Sequence, residues 1–242
     1  EVNARVSAKG ETLTDFTQGE LIRLKKEVDA LQPKSIAINL LFSFIAPEHE
    51  KTLEALFSED YFVSRSSLIL PKIQEFERGM TTWINAWVGP LIKEYISNLE
   101  SKLAPSKLAI MQSSGLTIAA SLAANRAVNL LLSGPAGGLA AARHIGKVSH
   151  LQQLITFDMG GTSTDVALMD NHFKITNQGH IGELPVGVPM ADIHTIGAGG
   201  GSIAYIDNGG LLRVGPDSAG AFPGPACYKQ GGTKATVTDA NL

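Results

Sequence analysis

The sequence holds a single cysteine, Cys227, in 242 residues. No internal disulfide can form, and a lone thiol fits a reducing cytoplasm. Aromatic residues make up 6% and charged residues 18%, and no run is both apolar and long enough to span a bilayer. No charged and then apolar leader follows Glu1, so nothing marks the chain for secretion. The formal net charge of −3 is small and of the wrong sign to draw a nucleic acid or an anionic membrane surface. His49, His144, His150, His172 and His180 follow no metal-ligand spacing. An initiator methionine is also missing, and the chain stops abruptly after Asp239-Ala240-Asn241-Leu242; the expectation is a piece of a longer polypeptide.

What the chain does have is 44% hydrophobic residues, an ordinary share for a soluble globular protein with a real core. Residues 1–57 read as strand, helix, strand, helix. Leu21, Leu24, Val28 and Leu31 recur at helical spacing, residues 35–44 form an apolar run of buried-strand length, and Pro47 opens a second helix. Residues 61–70 read as a strand. Residues 71–103 carry the longest helical pattern, with Gly89-Pro90 expected to kink or break it. Glu75, Arg78, Thr82 and Asn85 fall on one face of that helix, either a solvated face or the wall of a cleft. A short strand at 107–112, an Ala-rich helix at 119–127, and a turn at 133–138 leading into a helix over 139–145 follow. From Leu154 onward the pattern is glycine-rich and β-like.

The segment Leu154-Ile155-Thr156-Phe157 is β-prone, Asp158-Met159-Gly160-Gly161-Thr162-Ser163-Thr164-Asp165 follows, and Val166-Ala167-Leu168-Met169 is again apolar. The simplest reading is a hairpin with a functional tip. Paired glycines let backbone N–H groups approach an anion. Thr162 and Thr164 add hydroxyl donors, while Asp158 and Asp165 suit a divalent cation or an attacking water beside phosphate. No lysine follows the glycines, which excludes the helix-opening phosphate loop. An ordinary Gly-Gly hairpin turn is the alternative. Gly199-Gly200-Gly201 is a second flexible turn, either a bulge or a close approach to nucleotide or substrate. Asp192 and His194 precede it, and His194 is a candidate general base, metal ligand or structural histidine. Cys227 has no identifiable base beside it and reads as an inert thiol. Asp239 and Asn241 read as caps of a helix beyond the end of the sequence.

Together these segments resemble the nucleotide-binding core shared by actin, sugar kinases and the 70-kDa heat-shock chaperones. Gly134-Pro135-Ala136-Gly137-Gly138 is similar to its connecting helix, and Phe157 to Val166 is similar to its second phosphate motif. The likeness sharpens to the hydantoinase A/5-oxoprolinase family. It is carried by those two motifs, by Asp192-Ile193-His194-Thr195-Ile196-Gly197-Ala198-Gly199-Gly200-Gly201-Ser202, by Pro223-Gly224-Pro225-Ala226-Cys227-Tyr228, and by Thr236-Val237-Thr238-Asp239-Ala240-Asn241-Leu242. Upstream, Glu75-Phe76-Glu77-Arg78 and Trp87-Val88-Gly89-Pro90 also match.

The resemblance implies an α/β, ribonuclease-H-like ATPase fold with mixed sheets and flanking helices around a nucleotide cleft. It implies ATP and Mg2+ as cofactors, and opening of a cyclic amide such as a hydantoin or 5-oxoproline through a phosphorylated intermediate. It also implies a hydantoinase B-type partner, as a separate subunit or a fused domain. Asp158, Asp165, Asp192 and His194 would be catalytic, with the two aspartates at 158 and 165 also holding the metal. Gly160, Gly161, Thr162, Thr164, Gly137, Gly138, Gly199, Gly200 and Gly201 would bind the nucleotide. A ketone-carboxylase subunit and a non-catalytic nucleotide-binding module are the alternatives. One family feature is missing, a further aspartate–Gly-Gly-Thr motif that belongs to the first lobe. Residues 1–57 are therefore expected to be the tail of an incomplete first lobe, and residues 58–242 the core lobe. This stretch alone is expected to hydrolyse ATP weakly or not at all.

Overall fold

The computed structural model describes all 242 residues. They divide into two compact units, Glu1–Ala136 with Ile175–Met190, and Gly137–Lys174 with Ala191–Leu242. Helices and strands interleave over residues 1–148 and strand follows strand from Gln153 to Ser218, an α/β composition, and no helix is long and apolar enough to cross a membrane.

The first unit opens with β1 (Arg5–Val6) and β2 (Thr12–Thr14), an antiparallel pair, and continues into α1 (Gln18–Leu31). Thr17 starts α1 by accepting the Glu20 N–H on its hydroxyl. The next strand is shorter than its apolar run. β3 covers Ser35–Ile38 and the chain turns over residues 41–45, with Phe42 at φ 60°. α2 (Glu48–Phe57) begins behind Pro47, as the sequence suggests. β4 (Phe62–Arg65) runs parallel to β3, with Ser35 opposite Phe62 and Ile38 opposite Arg65. That pairing joins residues on either side of position 57, so the compact units do not follow the boundary expected there. Beyond Arg65 the expected strand gives way to one helical turn, α3 (Ser66–Ile69). The buried Glu50 carboxylate accepts from the Ser66 hydroxyl at 2.6 Å and the Ser67 N–H at 2.7 Å, which turns the chain there.

α4 (Glu75–Leu103) is a single 29-residue helix, so Gly89-Pro90 does not end it. Gly89 serves a different purpose: the Phe62 ring lies against its backbone, and a Cβ there would overlap that ring. The polar stripe on α4 is neither a solvated face nor a cleft wall. Glu75 is exposed, but Arg78, Thr82 and Asn85 are buried. Arg78 donates to Asn39 Oδ1, the Lys72 carbonyl and the Leu40 carbonyl, all within 3.0 Å. Asn85 donates to Ser64 Oγ and the Asn125 carbonyl and accepts the Val128 N–H. Burial of polar groups is tolerated only when they are paired in this way.

β5 (Ala109–Met111) and β6 (Thr117–Ala119) form a hairpin leading into the short α5 (Ala120–Ala123) and a 3-10 turn at Ala127–Leu130. α5 packs through Ala120, Ala123 and Ala124 on Ile96 of α4. α6 (Ser133–Val148) already includes residues 133–138, which were expected to be a turn.

In the second unit, β7 (Gln153–Met159), β8 (Thr164–Asp170) and β9 (His172–Phe173) follow α6. The chain then returns to the first unit through β10 (Ile175–Thr176), the β11 (Gly179–Ile181) and β12 (Leu184–Val186) hairpin, and β13 (Met190–Ala191). Val186, Val188 and Met190 complete a core there with Ile69, Ile84 and Val128. Back in the second unit, β14 (His194–Ile196) joins β8 to give a sheet in the order β14-β8-β7, with β9 also on β8. β15 (Ser202–Ile206) and β16 (Leu212–Ser218) pair separately, and α7 (Val237–Ala240) ends the chain. Leu139 of α6 packs on Ala167 and Met169, so one face of the β7–β8 sheet carries the core of this unit.

Candidate functional site

β7 and β8 are an antiparallel pair whose last cross-strand partners before the tip are Asp158 opposite Asp165 and Met159 opposite Thr164. Directly opposed residues of an antiparallel pair share a face with Cβ atoms about 5 Å apart. The two carboxylates therefore stand side by side. Ala167, one step along β8, is on the same face and packs on α6. Like charges placed opposite one another are unfavourable unless something bridges them. Neither aspartate forms an ion pair. Asp165 is steadied by the Thr195 hydroxyl, which donates to it at 2.6 Å from β14.

The tip itself is Gly160-Gly161-Thr162-Ser163. It is closed by the Gly160 N–H donating to the Ser163 carbonyl at 2.9 Å. Gly160, Gly161 and Thr162 are exposed rather than packed into the core. The N–H groups of Gly161, Thr162 and Ser163 have no acceptor within the chain. The tip thus presents three consecutive free amides beside two carboxylates. No third histidine, cysteine or carboxylate joins Asp158 and Asp165 to complete a cluster that could hold a metal ion.

The triple glycine takes a different part from the one expected of it. Gly199 N–H donates to Ser202 Oγ, Gly200 N–H to the Gly160 carbonyl at 2.9 Å, and Gly201 N–H to the Gly161 carbonyl at 2.7 Å. All three donors are spent inside the protein, so they hold the tip from behind. In turn the Gly200 carbonyl accepts from both the N–H and the hydroxyl of Thr238, at the start of α7. Thr164 is also corrected: it is buried and its hydroxyl donates to the Ala198 carbonyl at 2.6 Å, leaving nothing to offer an anion.

His194 is placed apart from the carboxylates. It stands opposite Val166, while its neighbour Thr195 stands opposite Asp165. Side chains alternate along a strand, so His194 shares the far face of the sheet with Val166 and Phe157. That face is the solvent side, where Phe157 is 66% exposed and Leu168 67%. The strand register thus separates His194 from Asp158 and Asp165. Asp192 is exposed just ahead of β14, with its N–H on the Lys174 carbonyl. Gly137 and Gly138 lie near the start of α6, the helix that packs on the carboxylate face, and the space beside Gly138 is open.

Thr195 and Thr238 are the residues that sequence reasoning missed. The alternation of Ile193, His194, Thr195 and Ile196 carried the signal for Thr195, since in a strand only one of His194 and Thr195 could face the aspartates. Farther from the tip, Asp239 is the third residue of α7 and closes a capping box with Thr236, rather than capping a later helix. Its carboxylate also accepts the N–H groups of Ala226 and Cys227. Hydrogen bonds from the Cys227 N–H and thiol hold Asp239 far below the usual carboxylate range. The same thiol bond, with burial, pushes Cys227 up, consistent with an inert thiol.

Comparison with known proteins gives the family. The family model described as hydantoinase/oxoprolinase matches residues 78–242. The chain is 39% identical over 251 residues to 5-oxoprolinase 1 of Arabidopsis thaliana, covering 96% of this chain and 19% of that one. It is 37% identical over 219 residues to caprolactamase subunit alpha of Pseudomonas jessenii, covering 87% of this chain and 32% of that one. The crystal structure of the ATP-dependent caprolactamase from that organism superposes with a TM-score of 0.84 at 33% identity, covering 100% of this chain and 36% of that one. Nucleotide-free acetone carboxylase superposes with a TM-score of 0.76 at 26% identity, covering 99% and 35%. The chain thus spans between about a sixth and two fifths of the length of the curated relatives it matches, and it belongs to the hydantoinase/oxoprolinase family.

Proposed function

We propose that the complete polypeptide is an ATP-dependent hydrolase of a cyclic amide, and that this chain supplies its phosphate-binding tip. The observation that carries the reading is the run of free amides at Gly161, Thr162 and Ser163 beside the paired carboxylates of Asp158 and Asp165. The hairpin corresponds, on this reading, to the second phosphate motif of a ribonuclease-H-like ATPase fold. Residues 1–57 are read as the tail of that fold's first lobe.

The three amides would hold phosphate oxygens, aided by the exposed Thr162 hydroxyl. Asp158 and Asp165 would hold Mg2+, in part through water. When bound, Mg2+ supplies neutralisation of phosphate charge. A lactam is a poor electrophile. Transfer of a phosphoryl group from ATP to its carbonyl oxygen, with release of ADP, makes an imidate-like phosphate. Water then adds to that carbon and the carbon–nitrogen ring bond opens to leave an acyl phosphate and the free amine; a second water hydrolyses the acyl phosphate to the carboxylate and phosphate. The protein's share is positioning and charge stabilisation. Gly199, Gly200 and Gly201 contribute by fixing the tip, and His194 takes no part. 5-Oxoproline, hydantoins and larger lactams are the substrate class, with a B-type subunit or fused domain as partner. The name caprolactamase subunit alpha supports such a partner.

The test is ADP formation by the complete polypeptide with its partner, measured with and without 5-oxoproline, hydantoin, caprolactam, or acetone plus bicarbonate. Stimulation by a cyclic amide is expected. Stimulation only by acetone and bicarbonate would assign a ketone carboxylase, and nucleotide binding without any stimulation would assign a non-catalytic module. The 242-residue stretch alone is expected to release phosphate far more slowly than the complete protein.

A further inference from the structure

The second unit has another feature, at the opposite end of the β7–β8 hairpin from the glycine tip. A cavity of about 430 Å³ is lined by Arg143, Lys147, His150 and His172 around an apolar floor of Leu154 and Met169. β7 is 7 residues long, so the cavity and the tip are on the order of 20 Å apart. The site nearer the tip makes no use of these residues.

Three segments build the cavity. Arg143 and Lys147 are one helical turn apart on α6 and so share a face. The chain doubles back tightly after α6 because Gly146 has no side chain: a Cβ there would stand 2.6 Å from Leu154 Cδ1 and 3.1 Å from the Leu151 carbonyl. His150 makes that reversal at φ 57°. The β8–β9 turn brings in the third segment, with Asn171 at φ 60° and its N–H on the Gln152 carbonyl at 2.8 Å.

The charge is one-sided. No carboxylate lines the cavity, and neither Arg143 nor Lys147 is in an ion pair. Asp170 is not part of the lining, although it stands opposite His172 across the β8–β9 pair. A lysine in the last turn of a helix is ordinary by itself, because it answers the helix dipole. Here the last-turn carbonyls are already taken by the N–H groups of Ser149, His150 and Leu151, and the other cationic groups come from outside that turn. In a chain with net charge −3, such a concentration is unusual, and two permanent cations with two imidazoles match a ligand of more than one negative charge.

We propose that this cavity is a binding site for a small organic dianion, with a phosphate monoester the best fit: phosphate against Arg143, Lys147 and the histidines, and an apolar body on Leu154 and Met169. The inference does not depend on the nucleotide reading of the glycine tip.

The experiment follows backbone amide chemical shifts of the complete polypeptide at neutral pH while phenyl phosphate, inorganic phosphate or acetate is added. Phenyl phosphate is expected to bind most tightly and acetate not measurably, with shifts centred on His150, Asn171 and His172. The exposed pair Arg143→Gln and Lys147→Gln should weaken phenyl phosphate at least tenfold while leaving the thermal midpoint unchanged. In the unaltered chain, raising salt from about 50 to about 300 mM should weaken binding severalfold, a readout that does not rely on the variant folding. Absence of shifts, shifts confined to Gly160 and Gly161, equal binding of acetate, or binding unaffected by the double substitution would each overturn the proposal.

Discussion

Gly199 lies against Gly160 so closely that a methyl group in its place would stand 2.6 Å from the Gly160 carbonyl oxygen and 2.8 Å from the Thr162 nitrogen. Gly161, on the tip itself, has nothing within 4 Å of its Cβ position. The two glycines therefore answer differently to the same change. Gly199→Ala should force the tip outward, costing about 1–3 kcal/mol of stability and lowering nucleotide affinity of the complete protein at least tenfold. Gly161→Ala should leave stability within about 0.5 kcal/mol, yet also weaken nucleotide by crowding the free amides. Thermal unfolding and nucleotide titration of both variants check this. A Gly199→Ala protein that melts and binds as the parent does would mean the Gly199-Gly200-Gly201 turn is not the tip's support.

The difference between these glycines marks what the sequence could convey. The hairpin was legible because apolar strands flank a Gly-Gly turn, and backbone pairing there is local. The role of the triple glycine was not, because its N–H groups bond to carbonyls about 40 residues away in the chain, at Gly160 and Gly161. Burial of Arg78 and Asn85 was equally hidden. Helical spacing places them on one face, but only the fold decides that the Leu40, Ser64 and Asn125 partners meet that face. Thr164 shows the same limit, its hydroxyl taken by Ala198 from a later loop.

Thr195 and His194 provide a paired test of face. Thr195→Val removes the hydroxyl that donates to Asp165 and leaves the side-chain shape nearly unchanged. The loosened carboxylate should hold Mg2+–nucleotide more weakly, by a factor of about 3–10, the range of a hydrogen bond worth about 1 kcal/mol. His194→Ala, on the opposite face, should leave both affinity and the pH profile of turnover unchanged. Calorimetric titration of the two variants of the complete protein measures the first effect, and steady-state rates across pH measure the second. A His194→Ala protein with lost turnover and intact nucleotide binding would reverse the assignment.

Asn85 shows what buried polar pairing contributes to stability. Its amide fills the needs of the Val128 N–H and the Asn125 carbonyl at once. Asn85→Ala leaves the Val128 N–H without a partner in a buried setting, at a cost of about 1–3 kcal/mol for that unsatisfied group. Urea unfolding should show a midpoint lowered accordingly with little change in slope. Ser64→Ala removes the hydroxyl that accepts from Asn85 and donates to the Thr82 carbonyl, but leaves Asn85 its bonds to Asn125 and Val128, and should cost less. Equal costs for the two would place the weight on the Ser64 contact instead.

Asp239 links the chain's end to acid stability. Its carboxylate accepts from the Cys227 and Ala226 N–H groups and from the Thr236 N–H and hydroxyl, and those donors favour its charged form. The folded-state pKa is lowered, so the unfolded chain binds this proton more readily. The sign follows: the contribution is present above the ordinary value near about 3.9 and is lost as pH falls from there toward the depressed folded value. Asp239→Asn should abolish that part of the acid dependence and loosen the loop around Cys227. Two measurements together decide it, the thermal midpoint between roughly pH 5 and pH 3 and the rate of thiol alkylation at mildly alkaline pH. The parent should lose stability more steeply on acidification than the variant, and the variant's thiol should react severalfold faster. Parallel acid profiles with unchanged alkylation would show that Asp239 does not hold this loop.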